Sequence, residues 1–118
     1  MLAGLDHLVI LVEELEEAIA GYEELGFRVT PGGEHADGLT RNALVPFVDG
    51  TYLELVAFID SADEQDNVWG WRPFLETGGS LIDYCATSDD LVADVQRLTK
   101  DRVSATGLLR MRQLCGAR

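Results

Sequence analysis

Cysteine is scarce in this 118-residue chain: Cys85 and Cys115 stand 30 positions apart. That spacing has neither the density of a disulfide scaffold nor the closeness of a CxxC metal site, so two reduced thiols are expected. Basic residues are scarce as well. Nine Lys and Arg against 21 Asp and Glu give a formal net charge of −12, which repels phosphate backbones and anionic lipid and argues against nucleic-acid or membrane partners. No apolar run approaches the roughly 20 residues that span a bilayer. The opening MLAGLDHLVILVEELEEA has no basic leader and carries acids within its apolar stretch, so a cytoplasmic protein is expected. No Ser-His-Asp or Cys-His arrangement has a supporting context, and Gly32-Gly33 and Gly78-Gly79 read as turns rather than phosphate loops. What remains, 47% hydrophobic and 25% charged residues, is the profile of one globular domain with a real core.

Hydrophobic periodicity orders that domain. Residues 5–12 (LDHLVILV) form a β-branched apolar run in which His7, Val9 and Leu11 share one face of a strand. Residues 13–25 change to helical spacing, with Leu15, Ile19 and Tyr22 on one stripe, acids in the first turns and Gly26 as the stop. A second strand is expected over 27–30, ended by Pro31-Gly32-Gly33. Strands over 39–48 and 51–58 then form a hairpin around Asp49-Gly50, a dipeptide suited to a tight type I′ turn. The first module, 1–58, is therefore βαβββ.

Residues 59–79 read as a connector whose Trp69, Trp71 and Phe74 serve as packing aromatics. At an offset of 76, Leu5 falls on Leu81, Leu15 on Leu91, Ile19 on Val95 and Tyr22 on Leu98, which marks an internal duplication. The second copy, 80–118, has a strand, a helix over 89–100 and room for one further strand. The expected fold class is α+β, a single domain with a βαβββ module, a partial second βαβ repeat, and a cupped mixed sheet packed by helices.

The segments LDHLVILVEELEEAIAGYEELGFRVTPGGEH and NALVPFVDGTYLELVAF resemble the opening module of glyoxalase-like proteins of the vicinal oxygen chelate superfamily, which includes glyoxalase I, bleomycin-resistance proteins and extradiol dioxygenases. The resemblance is close over the first 58 residues and loose over 81–98. It implies a small molecule bound in a sheet-lined cup, often beside a divalent metal held by inward-facing strand residues of paired modules. Carried over, it places His7 and Glu54 at metal-ligand positions for Zn, Fe, Mn or Ni, with Glu54 also the candidate catalytic carboxylate. Asp83 falls at the counterpart of His7. Thr40-Arg41-Asn42 stands where relatives often read Thr-His-Asn, so Arg41 is either a clamp for a substrate carboxylate or a surface cation. The alternation of 52–58 puts Glu54 on a largely apolar face, where a buried acid needs a partner or an ion. Asn42 reads as a strand or turn residue, and His35 as a solvated loop residue within reach of a cup.

Three function classes follow: metal-dependent lyase, isomerase or dioxygenase chemistry; metal-free binding or sequestration of a small molecule; or an inactive, C-terminally incomplete fragment. The resemblance to paired modules also implies a homodimer, because one and a half modules leave a sheet edge for a second copy to cover. Light scattering is expected to give a two-subunit mass that holds over a concentration series. A well-folded monomer would contradict this, and polydisperse growth would favour the fragment.

Overall fold

The computed structural model describes residues 2–59, 65–67 and 69–100, together with the backbone of 111–113. Cys115 and most of the C-terminal tail lie outside the described residues. The elements run β1 Leu2–Leu11, α1 Leu15–Glu24, β2 Thr30–Glu34, β3 Thr40–Pro46, β4 Tyr52–Phe58, a short 3₁₀ helix Arg72–Thr77, β5 Ser80–Ser88, α2 Leu91–Lys100 and β6 Met111–Gln113. They build one six-stranded mixed sheet in the order β2-β3-β4-β1-β5-β6. The α+β fold and its βαβββ-βαβ order are as the sequence implies. α1 and α2 begin and end at positions related by the same offset of 76 that aligns the two sequence halves.

Several boundaries shift by one to three residues, and two of the differences have a clear local reason. β2 starts at Thr30, not Phe27, because Phe27 belongs to the helix stop. Its N–H donates to the Tyr22 carbonyl at 3.0 Å, while Gly26, at φ 100, donates to Glu23. This is the pairing of a Schellman cap, and the Tyr22 and Phe27 rings supply its apolar contact at 5.7 Å. Pro31 and the two glycines then fall inside β2, which tolerates them because it is an edge strand and exposed throughout. The hairpin loop has three residues rather than two. Phe47 and Thr51 close it, and Gly50 at φ 89 donates to the Phe47 carbonyl, as in a turn followed by a left-handed bulge residue.

The sheet separates two cores. Leu15, Ile19 and Tyr22 of α1 pack on Ala43, Val45, Leu55 and Ala57, which makes the α1 face apolar. On the opposite, cup face, Val9, Leu11 and Val56 pack against Trp71, with Trp69, Leu75 and Phe58 beside them. The connector thus lies over part of the cup. Trp71 is 1% exposed, whereas Phe74 is 45% exposed and takes little part in that core. The Trp71 indole N–H donates to Asp83 at 2.9 Å, tying the connector to β5.

Trp71 accordingly links the two sequence halves. Trp71→Ala is expected to lower unfolding stability by about 3–5 kcal/mol through the cavity it leaves, and Trp71→Phe, which keeps most of the packing, by about 1 kcal/mol through the lost hydrogen bond. Urea denaturation monitored by circular dichroism measures both, and equal losses would show that the hydrogen bond, not the packing, is what matters.

Candidate functional site

A cluster of polar groups on the cup face is centred on Glu54 of β4. Parallel pairing of β1 with β4 sets Glu54 beside Val9 and Tyr52 beside His7, so strand alternation turns His7 and Glu54 to the same side. His7 Nε2 lies 3.3 Å from Glu54 Oε1. The Tyr52 ring stacks on the imidazole at 4.5 Å between centroids, with planes 12° apart. The other ring nitrogen, Nδ1, faces Asp6 Oδ2 at 2.9 Å. Adjacent strand residues ordinarily point to opposite faces. Here the register against β5 slips between Leu5 and His7, so Asp6 is the extra residue of a bulge and can turn toward its neighbour.

Glu54 Oε2 has two further partners. Asn42 Nδ2 of β3 donates to it at 2.9 Å, and His35 Nε2, from the loop after β2, lies 3.1 Å away. Asn42 is itself aimed by Gly33, whose N–H donates to Asn42 Oδ1 at 2.9 Å. The approach requires glycine at 32, where a Cβ would come within 1.9 Å of that same oxygen. His35 Nδ1 sits 2.5 Å from the hydroxyl of Thr40, which is fully buried. The Trp69 ring meets the His35 imidazole edge-on at 5.7 Å and stacks on Trp71 at 4.8 Å.

The structure therefore brings His7 and Glu54 together and adds His35, Asn42, Asp6 and Thr40. It does not bring Arg41 to the cup. Thr40 and Asn42 face the cup and Arg41 the opposite side, where its two terminal nitrogens bond both carboxylate oxygens of Glu16 on α1 at 2.6 and 2.8 Å. That pairing holds the Glu16 carboxyl below its usual value. Asp83, placed by the repeat opposite His7, instead receives the Trp71 indole N–H. The roles of His35 and Asn42 were missed because loop position and residue type say nothing of a partner twelve or more positions away. The usable signal was the Thr40-Arg41-Asn42 alternation, which puts Thr40 and Asn42 on one face.

Electrostatics follow from burial against hydrogen bonding. Burial of Glu54 pushes its carboxyl upward, but hydrogen bonds from His35, His7 and Asn42 outweigh this and hold it far below the usual 4.5. Burial of His7 pulls its imidazole downward. The hydrogen bonds and negative charges of Glu54 and Asp6 outweigh it, leaving His7 above the usual 6.5.

The signs fix a pH window for the metal-free protein. Glu54 contributes stability that is present above pH 4.5 and lost as pH falls through its depressed folded value. His7 contributes stability that is present below pH 6.5 and lost as pH rises through its elevated folded value. An NMR titration of the His7 ring should give a midpoint above 6.5. In the double variant Asp6→Asn, Glu54→Gln both negative charges are gone while burial is kept, and the midpoint should fall; an unchanged midpoint would refute the assignment.

Comparison with known proteins agrees with this architecture. The sequence profile of the glyoxalase-like domain matches residues 5–115. No curated protein matches the chain. Among solved structures, the chain is similar to methylmalonyl-CoA epimerase from Mycobacterium tuberculosis, with 26% identity and a TM-score of 0.69 over 87% of this chain and 67% of that one. It is also similar to a Streptomyces coelicolor methylmalonyl-CoA epimerase variant in complex with 2-nitronate-propionyl-CoA, at 18% identity and a TM-score of 0.65 over 88% of this chain and 75% of that one. A hypothetical protein from Bacillus halodurans C-125 gives 13% identity and a TM-score of 0.66, covering 82% of this chain and 67% of that one. The last two likenesses establish the fold alone. A profile match along nearly the whole sequence, on a sheet of this topology, shows that the chain belongs to the glyoxalase-like domain family.

Proposed function

We propose that the cup holds a divalent metal ion on His7 and Glu54 and acts on a small carbonyl compound by isomerase-type proton transfer. The observation that carries this is the setting of His7. Both of its ring nitrogens face carboxylate oxygens, at 2.9 and 3.3 Å. A neutral imidazole has one N–H, so one nitrogen lone pair must confront an anion unless a cation stands there. With the proton on Nδ1 toward Asp6, the lone pair of Nε2 is left for a metal, the carboxylate-imidazole-metal arrangement by which an outer carboxylate orients a ligand. Donors sharing one ion at about 2.0–2.2 Å lie within roughly 4 Å of one another, and the His7-Glu54 separation of 3.3 Å meets that.

When bound, such an ion would polarise a substrate carbonyl and make an adjacent C–H more acidic. The chain's own groups do the rest. Glu54, held anionic by its donors, supplies the charge that retains the cation. The hydrogen bond between Glu54 and His35, continued to Thr40, is the path along which we assign proton movement. A cleft of about 450 Å³, lined by His7, Tyr52, Thr51 and Phe47 among others, opens beside the imidazole and would admit the substrate. The similarity to a methylmalonyl-CoA epimerase at 26% identity favours an acyl thioester or a related carbon acid. The remaining ligand positions would fall to water, substrate or a second copy; the exposed side chains of Leu5, Leu81 and Tyr84 give β1 and β5 an apolar surface for such a copy.

A proton in place of the metal satisfies the same geometry, which is the metal-free binding alternative. Elemental analysis of protein purified without chelator decides between them. About one divalent ion per chain is expected, lost on His7→Ala and on Glu54→Ala with the helix signal retained. Metal-loaded protein in deuterated water should also wash out the C–H signal of methylmalonyl-CoA. Full metal content in His7→Ala, or in Glu54→Ala that also carries Cys85→Ser, would overturn the ligand assignment, and an unexchanged C–H would remove this substrate.

A further inference from the structure

The same imidazole also belongs to a second group of side chains able to hold a metal ion. Antiparallel pairing of β1 with β5 sets Cys85 directly across from His7, and the bulge at Asp6 brings its carboxylate to the same spot. Among the described residues, Asp6, His7 and Cys85 offer one ligand atom each, all within 4.8 Å of one another. All three are shielded: Asp6 is 1% exposed, Cys85 7%, and the His7 side chain 12%. Glu54 is not a member of this group.

We propose that Asp6, His7 and Cys85 form a site for a thiophilic divalent cation of the zinc or cadmium class, separate from the Glu54 pair and in competition with it for His7. A thiolate, an imidazole and a carboxylate are three donors of a tetrahedral site, with water in the fourth position. Two anionic ligands offset the ion's charge, so the filled cluster is close to neutral, which favours an ion in shielded surroundings. The ion would bind the ring through Nδ1, the nitrogen that already faces Asp6. The ring proton then resides on Nε2 and is donated to Glu54 Oε1. Starting from neutral His7, binding releases one proton, that of the Cys85 thiol, and the imidazole only exchanges tautomers. An occupied second site thereby takes the Nε2 lone pair away from the cup. Binding at the cluster stands without the proposed function; the competition rests on it.

The test titrates cadmium into Cys115→Ser protein, which removes the thiol outside the described residues, and follows the ultraviolet thiolate-to-metal charge-transfer band. One equivalent should saturate the band. Cys85→Ser should abolish it, Asp6→Asn should weaken binding by at least about 10-fold, and Glu54→Ala should retain it. Far-ultraviolet circular dichroism of each variant confirms folding before the titration is read. The band surviving Cys85→Ser, failing to form in Cys115→Ser, or disappearing with Glu54→Ala would each overturn the proposal. Retention of the band in Glu54→Ala together with loss of the divalent ion from the cup shows two sites; failure of the cup alone leaves this one standing.

Discussion

The buried carboxylate of Glu54 is the constraint on which the cup face depends. At 6% exposure it has lost most of its water, and an ion so placed costs several kcal/mol unless donors or countercharge replace the solvent. Those donors come from three separate elements: His7 from β1, Asn42 from β3 and His35 from the loop between β2 and β3. Each must sit in register to reach the same two oxygens. The cluster therefore couples strand register to chemistry, because a one-residue slip would turn any strand-borne member to the α1 face.

Supporting contacts show how far the constraint spreads. Asn42 is aimed by the Gly33 N–H and admitted by the missing side chain at Gly32. His35 is fixed by buried Thr40 and by the edge of Trp69, which stacks on Trp71. Trp71 in turn fills the space over Val9, Leu11 and Val56 and bonds Asp83 of β5. Trp69 and Trp71 thus form one wall of the polar cluster. The opposite face of the sheet is simpler. There α1 and the strands bury aliphatic side chains, and Arg41 and Glu16 bridge the rim. The cluster around Glu54 lies on the face that α1 leaves uncovered.

Much of the fold was legible because it rests on short-range rules. The period change at residue 13, the Gly26 stop and the offset between halves each reflect local side-chain spacing, and the elements follow them. The strand expected at 27–30 failed because the helix cap used Phe27, a competition between cap and strand that propensity does not rank. The two-residue turn failed because Gly50 acts as the left-handed residue of a longer loop. Residues 5–12 announced His7 but not the bulge that recruits Asp6, since a bulge appears only when a strand is laid against its partner.

The sequence by itself determined the βαβββ-βαβ order, the acidic charge and which residues share a face within each strand, because alternation along a strand depends on neighbours two positions away; that His7 and Glu54 share one was implied by the resemblance and is fixed by the pairing of β1 with β4. Only the tertiary structure decided what surrounds that pair. His35, Asn42, Asp6 and Cys85 lie on four different segments, and whether they converge depends on strand order, register and one slipped residue. Arg41 shows the converse: its residue type suited a ligand clamp, yet its place between two cup-facing residues turned it to Glu16. Residue type states what a side chain can do, whereas the pairing of the strands fixes which groups it does it with.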